Sequence, residues 1–368
     1  MSLGNVLRDE CRWEESLVNY QAALKLKPDL SKAHRGMGNL MRDIHRGEES
    51  LAAFERARSI DPHDHDLILD HAHAKLFVGD FIGGFRDYEA RWGSKEMKVR
   101  LFDVPRWDGS PAPGKTVMVH GEQGFGDNIQ FVRFVGEAAR RAGKLMLEVR
   151  GPLISLFRTL DFGVPVEIVE QGRERPAFDL EMPMMSLPMA FGTAIDTVPP
   201  PAHFNIAPER VAAWRERLSK TGLKVGLIWQ GNPKARADQG RSPPLSELAP
   251  LMDVPGVTFV SLQKSDGLEQ IDGTPFAGKM IVPGQALGDF AETAAVISSC
   301  TATLHLAASL GVPVFGMLKY HADWRWLNER EDSPWYPSLR LFRQQTVFDW
   351  RSVIDPLKAA LVERAEKQ

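Results

Sequence analysis

Through the first hundred residues apolar positions recur at intervals of three and four, as in Leu17, Tyr20 and Leu24 and again in Leu51, Phe54 and Ala57, the signature of amphipathic helices. The second set repeats the first. Gly4, Ser16, Tyr20, Ala23 and Pro28 return as Gly38, Ser50, Phe54, Ala57 and Pro62, about 34 residues on, the length of a helix-pair repeat. Ala72, Gly84 and Tyr88 keep a third, weaker copy in register. Small residues suit the point where two helices cross closely, rings fill the gap beside them, and proline ends the second helix. Residues 1–100 are therefore expected to be all-α, with a turn at Gly79-Asp80 and a last helix over 81–92.

Beyond a Pro- and Gly-rich crossing at 105–114 the pattern changes to short apolar runs separated by helical stretches. Strands are predicted at 116–120, 144–149, 164–169, 224–230, 258–262 and 312–318, and helices at 128–142, 152–160, 245–252 and 289–297. Strand, helix, strand at these lengths indicates a parallel sheet wrapped by helices. The run Pro199-Pro200-Pro201 separates two such units and reads as a hinge. The expected architecture is α/β with an all-α N-terminal part. Helical repeats occupy 1–100, a first Rossmann-like domain 101–207, a second 208–345, and a terminal helix 346–368. Ligands of open sheets of this kind sit beyond the carboxyl ends of the strands.

Charge and cysteine content narrow the classes. The 368 residues carry 45 basic and 48 acidic side chains, a formal charge of -3, which argues against a nucleic-acid partner. Cys11 and Cys300 lie far apart, so no disulfide framework is expected and a reducing, cytoplasmic setting fits. No apolar run of about eighteen residues is present, so no membrane span is expected, and the start lacks a signal pattern. Met1-Ser2-Leu3 reads as a non-native leader, with further repeats expected upstream.

Three constellations could carry chemistry. His120-Gly121-Glu122-Gln123-Gly124-Phe125-Gly126-Asp127 joins a predicted strand to a predicted helix. Gly124 and Gly126 let a ligand approach the backbone, and the helix amino terminus offers free N–H groups. Asp127 either caps that helix or serves as a general base toward an acceptor hydroxyl. No Gly-Lys-Ser or Gly-Lys-Thr closes the loop, so it is not a P-loop. The second constellation, Trp229-Gln230-Gly231-Asn232-Pro233, runs through Lys234 and Arg236 to Arg241. It is either a solvated basic loop or a diphosphate clamp built on Gln230, Asn232 and Arg241. Gln263, just past the strand at 258–262, is assigned to the same donor side. In the third, Thr301 and His305 open an alanine-rich helix, where a hydroxyl and a helix amino terminus suit a phosphate. A lone histidine there is otherwise a core residue. The tryptophans of 323–327 and 332–337 either stack on a base or sugar or lock a loop on the domain surface, and most are read as structural. His63-Asp64-His65-Asp66 is read as a solvated loop, and neither a metal nor a cofactor is expected.

Taken in order, several segments resemble a known family. They are Gly79-Asp80-Phe81 through Tyr88-Glu89-Ala90-Arg91-Trp92, Gly121 to Asp127, Met184-Met185-Ser186-Leu187-Pro188, Gly226 to Pro233, and Asp323 to Tyr336. They resemble the bacterial tetratricopeptide-repeat (TPR) glycosyltransferases whose catalytic part is similar to family 9, the heptosyltransferases. The resemblance covers nearly the whole chain. It implies TPR helical repeats followed by a GT-B-like pair of Rossmann-like domains, with a nucleotide-sugar donor in the second domain. It further implies metal-independent, inverting transfer to a glycan or protein hydroxyl, and a protein partner on the concave face of the repeats. By this resemblance Asp127 corresponds to the proposed catalytic aspartate, Arg241 to a basic donor-phosphate residue, and Thr301 and His305 to the donor-binding loop. One departure stands out. With 289–297 read as a helix running into Thr301, the short strand expected before that loop is missing, and Cys300 replaces an acidic residue. That departure frames the alternative: a non-catalytic scaffold carrying a degenerate transferase domain.

Overall fold

The computed structural model describes residues 2–95, 97, 100–218, 222–234, 238, 240–264, 266–284 and 295–367. The chain divides into two compact units. One comprises 1–103 with 186–198 and 321–330; the other comprises 104–185, 199–320 and 331–368.

The first unit is built on α1 (Ser2–Asp9), α2 (Trp13–Leu26), α3 (Ser31–Asp43), α4 (Gly47–Ile60), α5 (His65–Val78) and α6 (Phe81–Tyr88). The recurring glycines and rings explain one another. Tyr20 is fully buried, and a Cβ on Gly4 or Gly36 would stand 2.8 or 2.5 Å from its ring. Phe54 meets Gly38 in the same way, at 2.9 Å. Ser16 Oγ donates to the Gly4 carbonyl and Ser50 Oγ to the Gly38 carbonyl, each at 2.8 Å. The pair α1–α2 thus recurs as α3–α4, contact for contact. Asp64 caps α5 by accepting from the Asp66 and Leu67 N–H groups, which accounts for the acidic stretch at 63–66 as helix capping. Gly79 ends α5 in the left-handed region, at φ +93, where a Cβ would be strained. The last expected helix is shorter than its pattern suggests, passing into a 3₁₀ turn at Glu89–Gly93.

Two segments remote in sequence complete this unit. Ser186 accepts from Arg91 Nη2 and donates to Glu89 Oε1, each at 2.8 Å. Trp324 meets Phe85 edge-on, with ring centroids 5.9 Å apart. Linear boundaries placed both segments in the α/β part. The Arg91 and Trp324 motifs therefore hold helices together, a use for the tryptophans that the sequence anticipated.

The second unit carries two parallel sheets. In chain order its first half runs β1 (Ala112–His120), α7 (Phe125–Phe131), α8 (Val135–Arg141), β2 (Ala142–Val149), α9 (Gly151–Phe157), β3 (Glu167–Glu170) and β4 (Leu180–Pro183). A four-residue α10 (Leu187–Ala190) belongs to the helical unit. There follow α11 (Pro208–Arg217), β5 (Leu223–Ile228), β6 (Val257–Ser261), β7 (Ala295–Ser299), α12 (Ala302–Ser309), β8 (Val314–Leu318), β9 (Leu339–Arg343) and α13 (Arg351–Glu366). The sheet orders are β3-β2-β1-β4 and β6-β5-β7-β8-β9. Chain order reverses beside β1 in one sheet and beside β5 in the other, the positions where open sheets leave a crevice. In the second sheet, β7 and β8 are buried at every residue, as parallel strands covered on both faces must be. A core of Leu223, Val225, Leu227, Ile297 and Phe315 packs on Val353, Ile354 and Leu357 of α13.

Several expectations change. Residues 285–294 lie outside the described residues, and so does most of the helix expected at 289–297. Its last three residues, 295–297, are strand. The strand judged missing is β7, paired with β5 on one side and β8 on the other. Ala-Val-Ile-Ser-Ser has no polar face, so periodicity cannot separate a doubly covered strand from a buried helix. The stretch Leu245–Asp253 is 3₁₀ rather than α, with Pro250 inside it, whose ring would clash in an α-helix with the carbonyl four residues back. The helix after β1 starts at Phe125, three residues before its expected start, and passes through a 3₁₀ turn at Val132–Phe134.

Candidate functional site

Strand β1 delivers the glycine loop to the carboxyl edge of the first sheet. The loop is shaped by its own polar groups. The Gly121 N–H donates to the Glu148 carbonyl at 2.8 Å, and Asn128 Nδ2 donates to the carbonyls of Glu122 and Gly124 at 2.8 and 2.7 Å. Gly124 is the residue before the first turn of α7, and Asp127 is the third residue within it. The Asp127 carboxylate accepts from the Gly124 N–H at 2.7 Å. Asp127 therefore does close its own helix start, but from inside the turn rather than from the cap position. Arg150, from the end of β2, donates to the Gln123 carbonyl and stacks 4.3 Å over the half-exposed Phe125 ring. No motif pointed to Arg150; only strand pairing brings it here.

Beneath the loop, at the end of β1, His120 Nε2 and Glu181 Oε2 are 2.8 Å apart, and Arg106 Nε donates to Glu181 Oε1 at 2.9 Å. Burial works against the Glu181 charge, but the hydrogen bonds from His120 and Arg106 prevail and hold its carboxyl below the usual range.

In the second sheet the loops after β5, β6 and β7 share one edge, because all three strands are parallel. Gln263 Oε1 accepts from the Gln230 N–H at 3.2 Å while its Nε2 donates to the Gln230 carbonyl at 2.9 Å. Gln230 Nε2 donates to Asp238 Oδ2 at 2.8 Å. Asp238 Oδ1 accepts from Arg241 Nε and Nη2 at 3.0 and 2.8 Å. Asn232 accepts from the Lys234 N–H at 3.0 Å, an Asx turn. Gln230, Arg241 and Gln263 are thus drawn into one network around Asp238, a residue the sequence reading passed over. The Arg241 charge expected at a donor phosphate has a carboxylate partner in this arrangement. Arg236, expected in the same basic loop, lies outside the described residues.

Thr301 precedes the first turn of α12, its hydroxyl 3.1 Å from Ser298 Oγ. His305, on the next turn, is buried, with Nδ1 3.0 Å from the Tyr336 hydroxyl. The two motifs meet here. A Cβ on Gly126 would stand 2.9 Å from His305 Cδ2 and 3.4 Å from the Ala302 Cα. Only glycine lets the loop from one sheet lie on the helix from the other. Gly126, in the loop that carries Gly124 and Asp127, thereby lies against His305 and against Ala302, the residue after Thr301, while Gln230, Asn232, Arg241 and Gln263 form a second group along the same sheet edge as Thr301.

Arg133 was also overlooked. It follows α7, is buried, and among the described residues has no carboxylate partner: Nε donates to the Gln130 carbonyl at 2.7 Å, and Nη1 to the carbonyls of Trp335 and Pro199 at 2.7 and 3.1 Å. The first residue of the expected hinge is thus fastened by this guanidinium. Among the described residues no group of three His, Cys, Asp or Glu is placed to hold a metal ion, and no helix is long and apolar enough to cross a membrane.

Comparison with known proteins places this geometry. No model of a known protein family matches the chain. Protein FlbA of Caulobacter vibrioides is 31% identical over 399 aligned residues, which cover 98% of this chain and 66% of that protein. The chain thus spans just under two thirds of that relative's length. Among solved structures, the glycosyl transferase family 9 protein from Veillonella parvula superposes with a TM-score of 0.50 at 12% identity, covering 68% of this chain and 91% of its own. The ADP-heptose lps heptosyltransferase II of E. coli gives a TM-score of 0.45 at 13% identity, over 68% and 99%. The likeness to the Veillonella protein is one of fold: two parallel sheets with flanking helices.

Proposed function

We propose that the chain is a glycosyltransferase that moves a sugar from a nucleotide-diphosphate donor to a hydroxyl acceptor. One observation carries this reading. The glycine loop bearing Asp127 rests directly on the helix start bearing Thr301 and His305, with Gly126 at the contact. A carboxylate on a loop that meets a helix amino terminus is what inverting transfer needs. Asp127 takes the acceptor proton as the hydroxyl attacks the anomeric carbon, and the N–H groups of α12, the Thr301 hydroxyl and His305 hold the departing diphosphate. Gln230, Asn232, Gln263 and Arg241 frame the donor from the adjoining loops, Arg241 exchanging Asp238 for phosphate as the donor enters. The acceptor is a glycan or a protein hydroxyl, recruited by the helical unit, which we read as TPR repeats. The scaffold alternative rested on a missing strand, and with β7 present it loses that support.

Substitution of Asp127→Asn tests the reading. An amide oxygen can still accept from the Gly124 N–H, so the helix start is kept while the base is removed. Sugar transfer or donor hydrolysis, assayed across a panel of nucleotide sugars, is expected to fall about 10²–10⁴-fold. Equal rates in both proteins would take Asp127 out of the mechanism.

A further inference from the structure

The contact between His305 and Tyr336 contains a choice of proton position. Either Nδ1–H donates to the phenol oxygen, or the phenol donates to a bare Nδ1. The surroundings decide it. The Arg133 guanidinium carbon lies 4.8 Å from the Tyr336 ring centroid and 5.5 Å from that of Trp335. Three backbone carbonyls also fasten it. Burial pushes the Arg133 pKa down, and attraction to the Tyr336 phenol, together with a side-chain hydrogen bond to it, opposes that shift. A phenol oxygen that accepts from a guanidinium keeps its own proton for another acceptor, here the imidazole.

We propose that Arg133 and Tyr336 are positioning residues that hold His305 as its Nε2–H tautomer. The ring edge carrying Cδ2 and Nε2 is the one facing Gly126, so the N–H is aimed at the glycine loop and Nδ1 at the core. With the proton on Nε2, His305 presents a donor where the proposed transfer has its diphosphate. Its function there rests on the transferase reading; the tautomer itself does not.

The test is a two-bond ¹H–¹⁵N correlation spectrum of ¹⁵N-histidine-labelled full-length protein at neutral pH, with the His305 signals assigned by their loss in His305→Gln. The wild-type protein is expected to show a single Nε2–H pattern for His305. Tyr336→Phe, which keeps the ring and loses the hydroxyl, is expected to lose that single pattern to a mixture, and Arg133→Met to do the same. Circular dichroism establishes that each variant is folded. An Nδ1–H pattern in the wild type, or an unchanged Nε2–H pattern in folded Tyr336→Phe, would overturn the proposal. Should Arg133→Met fail to fold, the other two measurements still decide. A parallel titration with ADP, GDP, UDP and CDP separates the two readings. Binding weakened in Tyr336→Phe in proportion to the lost Nε2–H fraction, about twofold for an even mixture, supports both. Absence of any nucleotide binding alongside the expected tautomer removes the donor reading and leaves the positioning intact.

Discussion

At the scale of single residues, the molecule turns on where a side chain cannot be. Position 126 tolerates only hydrogen because His305 and Ala302 fill the space a Cβ would take. Neither neighbour can yield cheaply: one is a helix backbone atom and the other a ring held by Tyr336. Gly126→Ala is therefore expected to destabilise the second unit by about 1–3 kcal/mol, the usual cost of overpacking. Gly273 serves as control, since a Cβ there meets nothing within 4 Å, and Gly273→Ala is expected to change stability by less than about 0.5 kcal/mol. Urea unfolding of both variants checks the pair; equal costs would mean the loop does not rest on α12. The sequence showed Gly126 and Asp127 as a loop worth watching, because glycines between a strand and a helix are a local pattern. It could not show what Gly126 touches, since that neighbour comes from the other sheet. Asp238 and Arg133 were invisible for the same reason. Each looks like an ordinary charged residue until its partners arrive from remote segments.

Elements were legible where one face is polar. The crossing serines, glycines and rings of α1 to α4 could be placed from spacing alone, because those helices are half exposed and their burial alternates with a helical period. Among the strands, β1, β2, β5 and β6 announced themselves as compact apolar runs next to glycine or proline. Strand β7 did not, since its neighbours on both sides and both faces are apolar and nothing in Ala-Val-Ile-Ser-Ser marks a boundary. Strands β4 and β9 escaped as well, being short and preceded by coil. The consequence for β7 is mechanical. It lies between β5 and β8, and its last residues lead straight into Thr301, so anything that loosens it moves the start of α12. Ile297 is fully buried in that strand. Ile297→Ala is expected to cost the second unit about 2–5 kcal/mol, read as a lower urea midpoint at unchanged slope. A cost near zero would mean that this segment does not form a central strand.

At the scale of the whole molecule, the first unit carries a built-in response to acid. Burial, reinforced by Lys75 and Arg58, lowers His71 to about 4, and burial, reinforced by Arg42, lowers His73 to about 4. Both lie on α5. An unfolded histidine binds its proton near pH 6.5, so below that pH the unfolded chain takes up protons the folded helix refuses. Stability falls as pH drops from about 6.5 to about 4 and then levels, each histidine contributing about 3 kcal/mol at most. The carboxylates act in a lower window. Burial would raise Asp70 and Asp323, but their arginines prevail and hold both below the usual value. Their support is present at neutral pH and is lost only as pH falls beneath the ordinary carboxylate range. In the second unit Glu181 is likewise lowered, by His120 and Arg106 against its burial. Between pH 6.5 and 4.5 the helical unit should weaken through His71 and His73. Hydrogen exchange followed by mass spectrometry at pH 7 and pH 5, corrected for intrinsic rates, is expected to show α5 losing protection. Replacing both histidines, His71→Gln with His73→Gln, should flatten the α5 response. If α5 keeps its protection at pH 5 in the wild-type protein, or loses it equally in the double variant, the acid sensitivity of α5 does not originate in these two buried imidazoles.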